Sequence, residues 1–194
     1  MKIAVTGATG QLGTIVVEEL KKRVSNENIV ALVRTPEKAS AQGIEVRTFD
    51  YTKPQVMIEA LAGIDRLILI SSNEIGQRAS QHFNAIEAAG KAGVKWIVYT
   101  SLLHADSTTL NLAGEHMTTE EALKASGIDY TILRNGWYTE NYTGSIRGAL
   151  AGGAFIGSAG NGKISSAARA DYAEAAALAI TDRQKHPLQK PDRS

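Results

Sequence analysis

The sequence contains no cysteine. That absence removes disulfide staples, thiolate nucleophiles, Cys-ligated zinc and iron–sulfur clusters together. Net charge is nearly absent too: 21 Lys and Arg against 20 Asp and Glu leave +1, so bulk electrostatics makes no case for nucleic acid or another polyanion as partner. No stretch approaches the roughly 18 apolar residues of a membrane-spanning helix. The apolar run in MKIAVTG is too short for the core of a secretion signal. A soluble, cytoplasmic protein is the expectation. Aromatic residues make up only 6% and prolines number four, yet 43% of the 194 residues are hydrophobic, enough for one domain with a sizeable core.

What is present is a rhythm. Apolar runs at Lys2–Thr6, Asn28–Arg34, Ile44–Phe49, Arg66–Ile70, Lys95–Thr100 and Asp129–Leu133 read as strands. Runs such as IVALV, LILI and WIVY are unbroken by polar residues, as a sheet covered on both faces requires, and such sheets are usually parallel. Between the first two, QLGTIVVEELKKR sets Leu12, Ile15, Val16 and Leu20 at helical spacing, with Glu18, Glu19, Lys21 and Lys22 outward. Further helices are expected over Val56–Leu61, Ala79–Lys91, Asn111–Lys124 and Arg169–Thr181. Strand–helix alternation with right-handed crossovers gives a doubly wound, Rossmann-type α/β sheet, here with the strand order 3-2-1-4-5-6. Residues 1–180 form the expected domain. Residues 181–194 carry four Lys and Arg against two Asp without an amphipathic period, and are expected to form a polar, mobile tail.

The glycines of TGATGQLG follow the first strand and open the first helix. A pyrophosphate must approach backbone N–H groups there without side chains in the way, facing the positive end of the helix dipole, so Gly7, Gly10 and Gly13 in this context point to a dinucleotide. At the end of strand two, where NAD-binding sites commonly carry an acidic residue for the ribose hydroxyls, stands Arg34, with Lys38 one turn on. A guanidinium suits a 2′-phosphate and a carboxylate repels it, so NADPH is expected over NADH. Ligands of open α/β sheets lie across the carboxyl ends of the strands, which brings in Ile70, Ser71 and Ser72, then Thr100 and Ser101, then Arg134 to Tyr138.

Ordinary alcohol–ketone chemistry by short-chain dehydrogenases and epimerases uses a Tyr-x-x-x-Lys pair. None of the six tyrosines has a lysine four residues on. AVTGATGQLG, ALVRTPEKA, LILISSNEIGQRA, VYTSLLHAD and TILRNGWYTENY resemble the NmrA-like branch of atypical short-chain dehydrogenases, nearest to the NADPH:quinone oxidoreductase type 2 enzymes, with triphenylmethane reductases as relatives. The resemblance spans about Met1 to Ile180 and implies flavin-free hydride transfer from NADPH to a quinone, in a cleft between the Rossmann sheet and a small C-terminal lobe. It places Thr6, Gly7, Ala8, Thr9, Gly10, Gln11, Leu12, Arg34, Ile70, Ser71 and Ser72 at the cofactor. Asn135, Gly136, Trp137, Tyr138, Thr139, Glu140 and Asn141 it places beside nicotinamide and substrate. Members of that branch normally continue further, so the chain is expected to be truncated, with the small lobe incomplete and apolar surface left for association, as in a homodimer.

Trp137, Tyr138, Tyr142 and Phe155 are candidate walls for a flat quinone ring, with core packing the alternative for Trp137 and the simpler reading for Phe155. Asn135 and Asn141 can donate to a carbonyl oxygen. His104 is either a proton donor to a reduced acceptor or a plain loop residue. His116 and Glu120 share a helix face, and without a third ligand no metal is expected. His82 is expected at the surface or in packing, and His186 in the tail. No catalytic residue is assigned. The alternatives are an NADP(H)-binding redox sensor or an incomplete fragment without turnover, with a sugar-nucleotide epimerase a distant third.

Overall fold

The structure, a computed structural model, describes residues 1–158 and 160–182. Six parallel strands, β1 (Ile3–Thr6), β2 (Ile29–Val33), β3 (Glu45–Thr48), β4 (Arg66–Leu69), β5 (Trp96–Leu102) and β6 (Asp129–Asn135), form one sheet in the order β3-β2-β1-β4-β5-β6. That is the doubly wound order, and the sequence order of the parallel strands reverses between β1 and β4. The central strands are buried on both faces, as their uninterrupted apolar runs require.

Each face of the sheet has its own core. On one side α1 (Gln11–Lys21) and α7 (Arg169–Thr181) pack over Ile3, Val5, Ala31, Ile68 and Val98. The alanines at 173, 176, 177 and 179 in α7 are buried and let the two helices lie close. On the other side α2 (Pro54–Ala60), α3 (Arg78–Ala92) and α4 (Ala113–Ala125) cover Ala4, Val30, Leu67, Leu69, Ile97 and Tyr99.

The last two strands run further than their apolar residues. Ser101 pairs with Arg134 and Leu102 with Asn135, so the β5–β6 ladder continues through polar positions, held by backbone bonds that hydrophobicity does not report. After β6 come β7 (Trp137–Tyr138), α5 (Glu140–Thr143), α6 (Ile146–Gly152) and β8 (Ser166–Ala167), with β7 and β8 forming a two-stranded parallel pair. These elements, unanticipated from the sequence, are too short to leave a periodic pattern in it. Two 3₁₀ segments, Asn26–Asn28 and Pro36–Gln42, are likewise unanticipated. Most of the expected tail, residues 183–194 with His186, lies outside the described residues.

Candidate cofactor site

At the carboxyl ends of β1, β2 and β4 lies a cavity of about 730 Å³. Its floor is the glycine turn. Gly7 adopts φ +59°, in the left-handed region open to glycine, and Gly10 N–H donates to the Gly7 carbonyl at 2.8 Å to close the turn. Gly13 faces that carbonyl so closely that a Cβ would fall 2.1 Å from it. The first turn of α1 has no side-chain cap on its N-cap residue Gly10, so no cap bond satisfies its leading N–H donors at the edge of the cavity.

The opposite rim is the segment after β4, and the backbone donors of Ile70, Ser71 and Ser72 are committed. Ile70 N–H donates to Thr6 Oγ1 at 2.9 Å, Ser71 N–H to Thr100 Oγ1 at 2.9 Å, and Ser72 N–H to His82 Nε2 at 3.0 Å. Three elements thus hold three successive residues, and the rim offers a ligand carbonyls and side chains but not these amides. Arg78 Nε donates to the Ser72 carbonyl at 2.7 Å, while Glu115 of α4 accepts from the Gly76 and Arg78 N–H groups and capping the start of α3 fixes the rest of the loop. Because Nε2 of His82 is the acceptor, Nδ1 carries the proton and donates to Thr119 Oγ1 at 3.0 Å. Burial, reinforced by the Arg78 guanidinium, holds His82 down at about 3, so it stays a neutral clamp.

Nine of the eleven expected cofactor residues line the cavity: Gly7, Thr9, Gly10, Gln11, Leu12, Arg34, Ile70, Ser71 and Ser72. Thr6 and Ala8 lie buried behind them, Thr6 as the β1–β4 clamp just described. The substrate set is brought together less. Of seven, Tyr138 alone lines the cavity. Glu140 accepts from the Arg169 N–H at 2.9 Å and Asn141 Oδ1 from Arg169 Nη2 at 3.0 Å, so both serve the start of α7. Thr139 bonds Ser166, and the Gly136 N–H donates to Tyr172 Oη. Trp137 is 46% exposed and packs against Tyr142, ring centroids 6.4 Å apart, outside the cavity lining. Asn135 is buried and its Nδ2 donates to Tyr138 Oη at 3.2 Å. Phe155 is exposed, contrary to its expected packing role.

Several lining residues have little local signal. Phe49 and Tyr51 follow β3 and pack edge to face, centroids 5.4 Å apart, beside Leu32. Glu74 enters from the β4–α3 connection, and Arg78 and Gln81 from the first turns of α3. Arg169 reaches in from α7, its guanidinium 4.9 Å from the centre of the Tyr138 ring. Only the topology brings these together.

His116 and Glu120 do share the inner face of α4 but make separate bonds. His116 Nδ1 pairs with Tyr99 Oη at 2.7 Å, and burial holds the imidazole down at about 4. Glu120 accepts from Ser101 Oγ at 2.6 Å and from Arg134 Nε and Nη2 at 3.0 and 2.8 Å. His104 is exposed in a left-handed backbone conformation at φ 57°, on a loop tied by its own carbonyl. Among the described residues no group of three metal-ligating side chains occurs, and no helix is long and apolar enough to cross a membrane.

A dinucleotide fits what is present. The uncapped turn suits a pyrophosphate, the apolar shelf of Leu32, Phe49 and Tyr51 suits a flat base, and Gln81 Oε1 and Ser72 Oγ are buried polar atoms lacking a partner beside the cavity. Sheet order, glycine turn and cavity together define a dinucleotide-binding protein of the Rossmann class.

The chain belongs to the NAD(P)H-binding family, whose profile matches residues 7–183. It is 59% identical over 183 residues to Quinone oxidoreductase 2 of Escherichia coli, a match covering 93% of this chain and 64% of that protein. The crystal structure of an E. coli NADPH-dependent quinone oxidoreductase complexed with NADPH superposes with a TM-score of 0.89 at 59% identity, covering 93% of this chain and 65% of the other. A Citrobacter sp. triphenylmethane reductase complexed with NADP(H) gives 0.91 at 40% identity, over 94% and 66%. The chain therefore spans a little under two thirds of the length of these relatives, and the expected kinship with quinone oxidoreductase type 2 enzymes and triphenylmethane reductases holds.

Proposed function

We propose that the chain binds NADPH in preference to NADH and presents it to a quinone, as a flavin-free quinone reductase. The observation that carries this is the meeting of Arg34 and Lys38 with the glycine turn in one cavity. The end of β2 holds a guanidinium, not the carboxylate that ribose hydroxyls would call for. The similarity to enzymes of that activity, and the absence of a Tyr-x-x-x-Lys pair, support the acceptor class.

Bound NADPH supplies a hydride, and with one proton a quinone becomes a hydroquinone. The chain's own residues then have two tasks. The clamped rim at residues 70–72 and the glycine turn orient the cofactor from opposite sides. Tyr138, whose Oη accepts from Asn135 and so keeps its own hydrogen free, is the one phenol of the substrate segment facing the cavity. Burial raises its pKa, which keeps it a proton donor. We place the protein in the cytoplasm, since a cysteine-free enzyme fed by NADPH needs no oxidising compartment. A homodimer would cover exposed Leu150, Phe155 and Ile156.

A second reading is favoured by one specific observation: Tyr138 alone of the expected substrate residues reaches the cavity. It is an NADP(H)-binding redox sensor without turnover. Titration calorimetry and quinone-dependent NADPH oxidation separate the two, since both require NADPH binding and only the first requires oxidation. Arg34→Asp is expected to weaken NADPH at least about tenfold and NADH less than about twofold. Equal losses for both nucleotides would remove Arg34 from the phosphate.

A further inference from the structure

The two arms of the cavity touch at one point. Arg34 Nη1, from the end of β2, donates to Glu74 Oε1 at 2.8 Å, across from the β4–α3 loop. Glu74 does not merely drift there, because its other oxygen accepts from Gln81 Nε2 at 2.7 Å, and Gln81 is buried in α3. Arg34 and Glu74 are 65% and 41% exposed, so the pair adds little to the fold, and its significance lies in the group it occupies.

We propose that Glu74 is a specificity-determining residue: its carboxylate competes for the Arg34 guanidinium with the 2′-phosphate of NADP(H), and so moderates the preference over NAD(H). The proposal rests on the assignment of Arg34 to that phosphate. A guanidinium has five donors and can bridge two anions, but two acceptors at hydrogen-bond distance from one guanidinium lie within about 7 Å of each other. A phosphate bound to Arg34 therefore feels the Glu74 charge in a cleft that screens it less than bulk water does. Nothing comparable opposes a ribose 2′-hydroxyl, which carries no charge. If Glu74 served only to orient Arg34, its removal would have the opposite sign.

The test is titration calorimetry of the wild type, Glu74→Gln, Arg34→Ala and the double variant with NADP⁺ and with NAD⁺. Glutamine keeps the length of the side chain and a partner for Gln81. Competition predicts that Glu74→Gln tightens NADP⁺ by about fivefold to tenfold and changes NAD⁺ by less than about twofold, with the gain shrinking as salt is raised and vanishing in the Arg34→Ala background. Unchanged or weaker NADP⁺ binding by Glu74→Gln, or an equal gain for NAD⁺, overturns the proposal. Loss of NADP⁺ affinity in Arg34→Ala with no gain in Glu74→Gln defeats the role of Glu74 alone. Undiminished NADP⁺ affinity in Arg34→Ala defeats the phosphate assignment on which it rests.

Discussion

Gly13 lies inside α1, where replacing glycine with alanine ordinarily helps by about 1 kcal/mol. Here the sign reverses. An alanine Cβ would stand 2.1 Å from the Gly7 oxygen, 2.8 Å from its carbonyl carbon and 2.9 Å from Ala8 Cα, all backbone, so no side chain can swing away and the turn itself must move. Overpacking that displaces backbone costs about 1–3 kcal/mol, and an overlap this deep sits at the upper end. Net of the helical gain, Gly13→Ala should lose about 2 kcal/mol, or about 4–8 °C in Tm for a chain of this size. Gly90 is the control within the same fold. It lies inside α3, and its Cβ would meet Ile128 Cδ1 at an ordinary 3.8 Å, so Gly90→Ala should gain about 0.5–1 kcal/mol. Scanning calorimetry without nucleotide reads both signs. Titration with NADPH should then show a loss of at least about tenfold for the first variant and none for the second, because a displaced turn mis-aims the amides of α1. A Gly13→Ala protein that melts at or above the wild type with full NADPH affinity would refute the close-approach argument for the glycine turn.

Two further outcomes follow from the buried polar groups. His82 and His116 sit at about 3 and about 4, below the usual 6.5, so the unfolded chain binds protons that the fold refuses. Their contribution is whole above the unfolded value and drains as pH falls from there towards the folded values, at about 2 kcal/mol per histidine by about pH 5. Urea unfolding at neutral and acid pH measures the loss, and His116→Gln should roughly halve it; an unaltered loss would contradict the assignment. Tyr138→Phe should lower quinone-dependent kcat by about tenfold or more and flatten its alkaline limb, while NADPH affinity stays within about twofold. An unchanged kcat and pH profile would take the proton-donor role from Tyr138.

Legibility divides along the sheet. The strand order and most of the cavity lining follow from features that local sequence must carry: unbroken apolar runs for doubly covered strands, glycines at the turn into α1, and a cation at the end of β2. Arg34 could be assigned because its position is fixed by the end of β2. The clamps behind the site could not. That Thr6, Thr100 and His82 take the donors of residues 70–72 depends on three elements far apart in sequence, and nothing local to α3 decides between the surface and packing for His82. Segment 135–141, which the resemblance places beside nicotinamide and substrate, also carries contacts that no local pattern reports: Glu140 and Asn141 hold Arg169 at the start of α7, across 29 and 28 residues.

That division bears on how the function should be tested. The nucleotide end is rigid because its rim is tied to β1, β5 and α3 and its floor is a backbone turn without slack. The acceptor end has Tyr138 and Arg169 facing the cavity, stacked 4.9 Å apart, beside a stretch whose Leu150, Phe155, Ile156 and Ile164 stand exposed. On the proposed function, nucleotide binding and quinone turnover would depend on different parts of the chain, and a single activity assay would confound them. Nucleotide affinity addresses the part whose geometry is complete among the described residues. Arg169→Met separates the two ends: it removes the cation over Tyr138 without touching the glycine turn or Arg34. It should weaken quinone turnover by about tenfold and leave the NADPH-over-NADH ratio unchanged. A changed ratio would mean that Arg169 reaches the adenosine phosphate and that the cavity is filled in the reverse sense.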